Sequence, residues 1–316
     1  TQRRSDPQWI QLIGDIRKGR YGKLQLAHSF DRRERRSIGI RAAQKPPSEL
    51  DFNVWLGPAP MQPFRTNLVH YQWHWMWEFG NGEIGNLGSH ELDVCRWAMP
   101  DGAVAKSVVS LGGRFGYEDQ GQTPNTQLTV FDFGDVKLLH EVRGLVGKNQ
   151  WKIDNEFYTD EGVIRGGKFF PKGKNEGVPI ANAPPPGAPE QGPRHMQAFI
   201  SCVRNRKRTD LHAEILEGHR SVLLAHLGNI SYRLGEDVPF DRLTRDFEGD
   251  TMFREAFEDM KRHLLDASQM ELANSTCRLG PKLSFDAQAE KFVGAPDANQ
   301  LLSRPYRAPF IVTEQV

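Results

Sequence analysis

Cysteine is scarce: only Cys95, Cys202 and Cys277 occur in 316 residues, and no two of them form a CxxC pair. That argues against a disulfide framework and against a zinc site, both of which need paired or clustered thiols. Long apolar runs are missing as well; none approaches the roughly 20 residues that a membrane-spanning helix requires. No sign of charge dominates, since 41 Lys and Arg stand against 40 Asp and Glu for a net charge of +1. A broad field that would draw nucleic acid or anionic lipid is therefore excluded, and neither a nucleic-acid nor a membrane partner is expected. The basic runs Arg32-Arg33-Glu34-Arg35-Arg36 and Arg204-Asn205-Arg206-Lys207-Arg208 are local exceptions that read as solvated faces or loops. Signature loops are absent too: there is no P-loop, no GxSxG, no HExxH and no GxGxxG after a strand. His90-Glu91-Leu92-Asp93-Val94 begins like the zinc motif but has valine where the second histidine belongs. Gly112-Gly113-Arg114-Phe115-Gly116 lacks the spacing of a dinucleotide fingerprint and leads into a polar stretch. Taken alone, these residues have no visible apparatus for a nucleotide.

What is present is a globular composition, with 38% hydrophobic and 26% charged residues. Pro7 behind Ser5 or Asp6 opens a short helix that Gly19 and Gly22 stop. Lys23 to Phe30 alternates as a strand with Leu24 and Leu26 on one face, and 46–63 reads as an extended, proline-rich loop. A helix from Gly88 to Met99 precedes strands at 105–111, 126–133 and 136–142, the last two joined by a hairpin turn at Gly134-Asp135. Strands at 157–159 and 163–165 flank a turn at Asp160-Glu161-Gly162. Strands in such succession, without helices between them, predict a mainly antiparallel sheet. The stretch 178–193 reads as a loop. Helices follow at 195–204 and, behind an Asp210 cap, at 212–234, where Leu216, Leu223, Leu227, Ile230 and Leu234 form one apolar stripe. A last helix over 251–267 aligns Phe253, Phe257, Met260 and Leu264, and an irregular tail is expected beyond it.

The densest chemistry lies between Tyr71 and Asp93. Trp73, Trp75 and Trp77 alternate, so an extended strand would point all three to one side, either into a core or as an aromatic wall against a sugar ring. His74 and Asn86 nearby supply the hydrogen-bonding groups that carbohydrate sites add to flat apolar surfaces. His90 and Asp93, three apart, share a helix face. They form either a helix-start hydrogen bond or a site in which His90 is a general base, imidazole titrating near neutrality.

Asn86-x-Gly88-x-His90-x-x-Asp93, preceded by Gly80-Asn81-Gly82, resembles the Gfo/Idh/MocA family of oxidoreductases, the relatives of glucose–fructose oxidoreductase and inositol dehydrogenase. Phe52-Asn53-Val54-Trp55-Leu56-Gly57-Pro58-Ala59-Pro60 is similar to an approach segment in one bacterial branch of that family. Gly112-Gly113-Arg114-Phe115, Phe131-Asp132-Phe133-Gly134, Glu217-Gly218-His219 and Arg307-Ala308-Pro309-Phe310 look like later landmarks. Gln44-Lys45-Pro46 looks like the family's E-K-P but stands too late in the chain and reads as coincidence.

The resemblance implies an α+β domain with a large open, mainly antiparallel sheet and helices on one face. Residues 1–22 would be the last helix and exit of a Rossmann domain, 23–238 the substrate and oligomerisation domain, and 239–316 a C-terminal helix and extended tail. It implies an NAD(P)-dependent oxidoreductase of a sugar, polyol or sugar derivative, with NAD or NADP held elsewhere, so that this chain alone is inactive. His90 would be the base. Asn86 stands where the family has Asp, and a neutral amide cannot stabilise an imidazolium by charge. Trp73, His74, Trp75, Asp93, Arg33 and Arg35 are the substrate-binding candidates, while His140, His219 and His226 are assigned to packing or local hydrogen bonds. A homo-oligomer through the open sheet is expected. Two alternatives stay open: a redox-assisted glycosidase of the same superfamily, and a non-catalytic sugar-binding or oligomerisation module. The chain opens on Thr1 without an initiator methionine. More sequence is therefore expected upstream, and the compartment is left open.

Overall fold

The computed structural model describes residues 1–145, 152–184, 192–242 and 251–313. At its centre is a twelve-stranded sheet. The strands are β1 (Leu24–Arg32), β2 (Ser107–Gly113), β3 (Thr126–Asp132), β4 (Lys137–Arg143), β5 (Lys152–Thr159) and β6 (Gly162–Arg165). They continue with β7 (Lys168–Pro171), β8 (Val178–Pro179), β9 (Glu236–Pro239), β10 (Thr276–Leu279), β11 (Leu283–Asp286) and β12 (Lys291–Phe292). Their order is β12-β11-β2-β3-β4-β1-β5-β6-β7-β8, with β10 pairing β2 and β9 off that path. Among the described residues β1 and β4 are the parallel pair, and the other named pairs are antiparallel. The helices are α1 (Pro7–Arg17), α2 (Phe52–Leu56), α3 (Gly82–Gly85), α4 (Gly88–Trp97), α5 (Gly192–Asn205), α6 (Ile215–Arg233), α7 (Thr251–Ser268) and α8 (Pro296–Gln300). The mainly antiparallel α+β architecture expected from the strand signals is present.

Local chemistry sets the element ends. The Asp6 carboxylate accepts from the Gln8 amide at 2.8 Å and Pro7 occupies the first position of α1, so the helix start is capped and its φ preset. Between β3 and β4, Gly134 takes φ +100°, and the Phe133 amide donates to the Val136 carbonyl at 2.9 Å.

Alternation divides the sheet into two faces. On one, Ala27, Phe131, Leu138, Val142 and Phe157 pack with Trp9, Leu12, Ile13 and Ile16 of α1, Leu92 and Cys95 of α4, and Leu224, Leu227 and Ile230 of α6. On the other, Leu26, Leu111, Leu128 and Leu139 pack with Phe253, Ala256, Phe257, Met260 and Leu264 of α7. Full burial of such a side chain contributes about 1.5–3 kcal/mol. The stripe read along α7 is therefore its docking face, and it covers part of the sheet side that was expected to lie open.

Several local expectations change. Leu24 and Leu26 fall in different clusters, because the β1–β5 register shifts between them and one irregularity reverses the alternation. The segment 52–56 is a short helix capped by Asp51, whose carboxylate accepts from the Val54 amide at 3.0 Å. The cap of α6 is Glu214, while Asp210 sits in a separate 3-10 turn and Leu216 is exposed. The tail is not irregular: β10, β11 and β12 extend the sheet, and short strands beside β2 gave too little alternation to be recognised. Part of the loop read at 178–193 lies outside the described residues; its start is β8.

Candidate functional site

Residues Gln72–Trp75 form a single 3-10 turn rather than a strand. The expected common face of Trp73, Trp75 and Trp77 is therefore absent: Trp75 is 3% exposed and Trp73 39%. The cause is the return of the chain at Gly80, where a Cβ would come within 2.4 Å of the His74 Cα. An extended run through 73–77 is incompatible with that approach. His74 donates from Nδ1 to the Tyr71 carbonyl at 2.6 Å, its ring lies 4.2 Å from that of Trp75, and burial pushes its pKa down. It is a neutral, packed ring.

The centre of the site is a residue that the sequence reading passed over. After β1 the chain keeps pairing with the end of β4, since the Arg33 amide donates to the Arg143 carbonyl and the Arg35 amide to the Gly144 carbonyl. With a period of two, Asp31, Arg33 and Arg35 then point the same way. They meet Glu83 of α3, which is 2% exposed. Glu83 Oε1 accepts from Arg33 Nη2 at 3.0 Å and from Asn86 Nδ2 at 3.3 Å. Arg35 grips both oxygens, through Nε at 2.7 Å to Oε2 and through Nη2 to Oε1. The Arg35 guanidinium also lies 5.6 Å from the Trp75 ring centroid and borders a wide hollow of about 580 Å³ with Arg36, Ser37 and Tyr117. Burial, then the charges of Glu83 and Glu91, lift the Asp31 carboxyl well above its usual range. Burial lifts Glu83 as well, against the pull of Arg35. Burial and Glu83 thus favour the protonated form of Asp31, while Arg35 favours the ionised form of Glu83.

His90 and Asp93 turn elsewhere. His90, half-buried on the first turn of α4, donates from Nδ1 to the Gln2 amide oxygen at 3.0 Å. Asp93 is 1% exposed. It accepts from Arg4 Nε and Nη2 at 2.9–3.0 Å and from Ser221 Oγ at 2.6 Å. Burial raises its pKa, but Arg4 outweighs that and holds it below the usual carboxylate range. Asp93 therefore ties α4 to the first turn of the chain and to α6, a structural duty that leaves it no place in a substrate wall. The structure thus gathers Arg33, Arg35, Asn86, His74 and Trp75 around Glu83, leaves Trp73 at an exposed edge, and sets His90 against residues 1–5.

The Gly112-Gly113 pair does not form a dinucleotide cradle. Gly112 lies within β2, and a Cβ there would come within 2.2 Å of the Thr126 carbonyl oxygen, so a neighbouring strand fills the space a pyrophosphate would need. Among the described residues no group of three or more His, Cys, Asp or Glu could hold a metal ion, and no helix is long and apolar enough to cross a membrane.

Residues 37–121 match the family model described as "Oxidoreductase family, C-terminal alpha/beta domain" (GFO_IDH_MocA_C2). No curated protein matches the chain. Among solved structures it is similar to the WlbA dehydrogenase of Bordetella pertussis in complex with NADH and UDP-GlcNAcA, at 15% identity and a TM-score of 0.44 over 72% of this chain and 59% of that one. A myo-inositol dehydrogenase from Corynebacterium glutamicum is similar at 12% identity and a TM-score of 0.38, over 71% and 58%. An oxidoreductase domain protein from Kribbella flavida is similar at 14% and 0.46, over 72% and 61%. The chain spans about three fifths of the length of these structures. The stretch that holds Trp73, His74, Glu83, Asn86 and His90 lies within the residues that match the model of the C-terminal alpha/beta domain of the Gfo/Idh/MocA oxidoreductase family.

Proposed function

We propose that the chain is the substrate-side part of an NAD(P)-dependent oxidoreductase that acts on a sugar, polyol or sugar derivative. The observation that carries this reading is the placement of the family match: it spans the turn in which Glu83 fixes Asn86 beside Arg33 and Arg35, and the helix start that presents His90. In this reading Trp73 and Tyr71 offer exposed aromatic faces to the C–H side of a ring, and Asn86 and the arginines hydrogen-bond its hydroxyls. His90 takes the proton of the hydroxyl to be oxidised. The Gln2 oxygen fixes Nδ1 as its donor, which makes Nε2 the basic nitrogen.

NAD or NADP is implied by the family resemblance, and the WlbA structure is a complex with NADH, but the space at Gly112 does not fit a pyrophosphate. The nucleotide would be held by other residues, with 1–22 leading out of the domain that supplies them. The reading is tested by titrating the chain with neutral polyols and sugars, myo-inositol and glucose first, while following tryptophan fluorescence and NAD reduction. Saturable quenching that Trp73→Phe removes, without NAD reduction, is the expected result. A panel that produces no saturable change overturns the substrate assignment, and steady NAD reduction overturns the statement that the chain holds no dinucleotide.

A further inference from the structure

Beside its apolar stripe, α7 carries Asp259 and His263, one helical turn apart and so on one face. Asp259 accepts from Arg32 Nη2 of β1 at 2.9 Å and lies 2.9 Å from Arg143 Nη2 of β4. Both arginines also pair with Glu141 of β4, whose other oxygen lies 2.7 Å from His28 Nε2 of β1. His263 is 7% exposed, and its Nε2 is buried without a hydrogen-bond partner. Burial, then the charges of Arg143 and Arg32, push its pKa down to about 4, against the pull of Asp259 and Glu141. The other charges that the packed elements bring are paired. Lys152 and Glu156 of β5 lie 2.6 Å apart, Arg278 of β10 and Asp237 of β9 3.0 Å, and Arg262 of α7 stands 3.6 Å from Asp259. Residues 146–151, outside the described residues, contain no acid. The acids among 243–250 precede the helix, and His263 stands roughly three turns beyond Thr251, about 18 Å along the axis.

We propose that His263 is a proton sensor that releases α7 from the sheet as the medium acidifies. A docked His263 can take up a proton only by placing a cation beside Arg32 and Arg143 in a buried interface. On a released helix the ring meets water and titrates at about 6.5. The docked form therefore binds fewer protons, so docking is at full strength above about pH 7 and weakens as pH falls from about 6.5 towards about 4. Asp259 and Glu141 stay ionised in that window: burial opposes this, but the arginines hold both below the usual carboxylate range. The last turn of α7 supplies Asp266 and Ala267 to the hollow that Arg35 borders, so release opens that hollow from one side. The release itself does not depend on what the site binds.

Hydrogen–deuterium exchange of the full chain, read by mass spectrometry from about pH 7 to about pH 5 and corrected for the intrinsic rate, tests this. With a released value of about 6.5 and a docked value of about 4, the opening constant of α7 peptides should rise about eightfold by about pH 5.5 and about twentyfold by about pH 5. Peptides from β2 to β4 should keep their protection. His263→Gln should make the opening of α7 nearly independent of pH over the same range. The slope is the readout, so a change in protection at neutral pH leaves the comparison intact. An equal slope in His263→Gln would overturn the proposal in favour of another group, such as His28. Protection lost in β2 to β4 in step with α7 would overturn it in favour of global unfolding, and a flat profile in the wild type would overturn it outright.

Discussion

Glu83 is the residue on which the site geometry depends, and Glu83→Gln tests it. The substitution keeps the shape but removes the one anion that Arg33 and Arg35 share. Removing one partner of a buried ion pair costs about 3–5 kcal/mol. The arginine side chains retain 25% and 13% exposure, so water recovers part of that, leaving a loss of about 2 kcal/mol. Asp31 complicates the arithmetic in a useful way. Burial and the charge of Glu83 favour its protonated form, and Arg35 favours its ionised form. Once Glu83 is neutral, Asp31 can ionise and replace the missing charge. Asp31→Asn alone should then be neutral or slightly stabilising at about pH 7, whereas the double variant should lose more than the two single losses combined. Urea unfolding followed by circular dichroism measures all four corners of the cycle. An additive cycle would refute the shared-carboxylate account.

Three further outcomes follow from other parts of the molecule. Leu264→Ala removes a fully buried side chain from the interface of α7 with the sheet and should cost about 2–5 kcal/mol in the same unfolding assay. Gly80→Ala should displace the 72–75 turn, because its Cβ would enter the space of the His74 backbone; a changed near-ultraviolet circular dichroism spectrum checks this. Asp93 and Glu141 are both held below the carboxylate range: burial opposes this, but Arg4 acts on the first, and Arg143 with His28 on the second. Their folded forms bind fewer protons than the unfolded chain, so the stability they contribute is complete above about pH 4.5 and is lost as pH falls through their folded values. Melting temperature measured against pH should fall on the acid side, and Asp93→Asn should flatten that fall.

The features legible in the sequence were those with strong periodicity or strong local chemistry. The capped start of α1, the Gly134 hairpin and the apolar stripe of α7 each follow from a few residues acting within one turn or one strand. The short strands β10 to β12 were missed because two to four residues carry almost no alternation. In the site, Arg33, Arg35 and Asn86 meet at Glu83, which was not read, since the two arginines stand about 50 residues away from it. The alternating tryptophans misled because period two describes a strand only if the backbone stays extended, and the fold-back onto Gly80 prevents that. Asp93 sits on the expected helix face, yet Arg4 claims it, a long-range pairing that spacing does not reveal.

The central claim is that the start of α4 takes a polyol or sugar through His90, and calorimetry of the tightest-binding member of the neutral panel tests it most directly. Wild type and His90→Gln are compared at the same pH, because Gln keeps a polar group of similar reach but cannot act as a base or carry charge. A loss of affinity of about tenfold, near 1.4 kcal/mol, with an unchanged melting temperature is the predicted result. Equal affinity for the two proteins would contradict it.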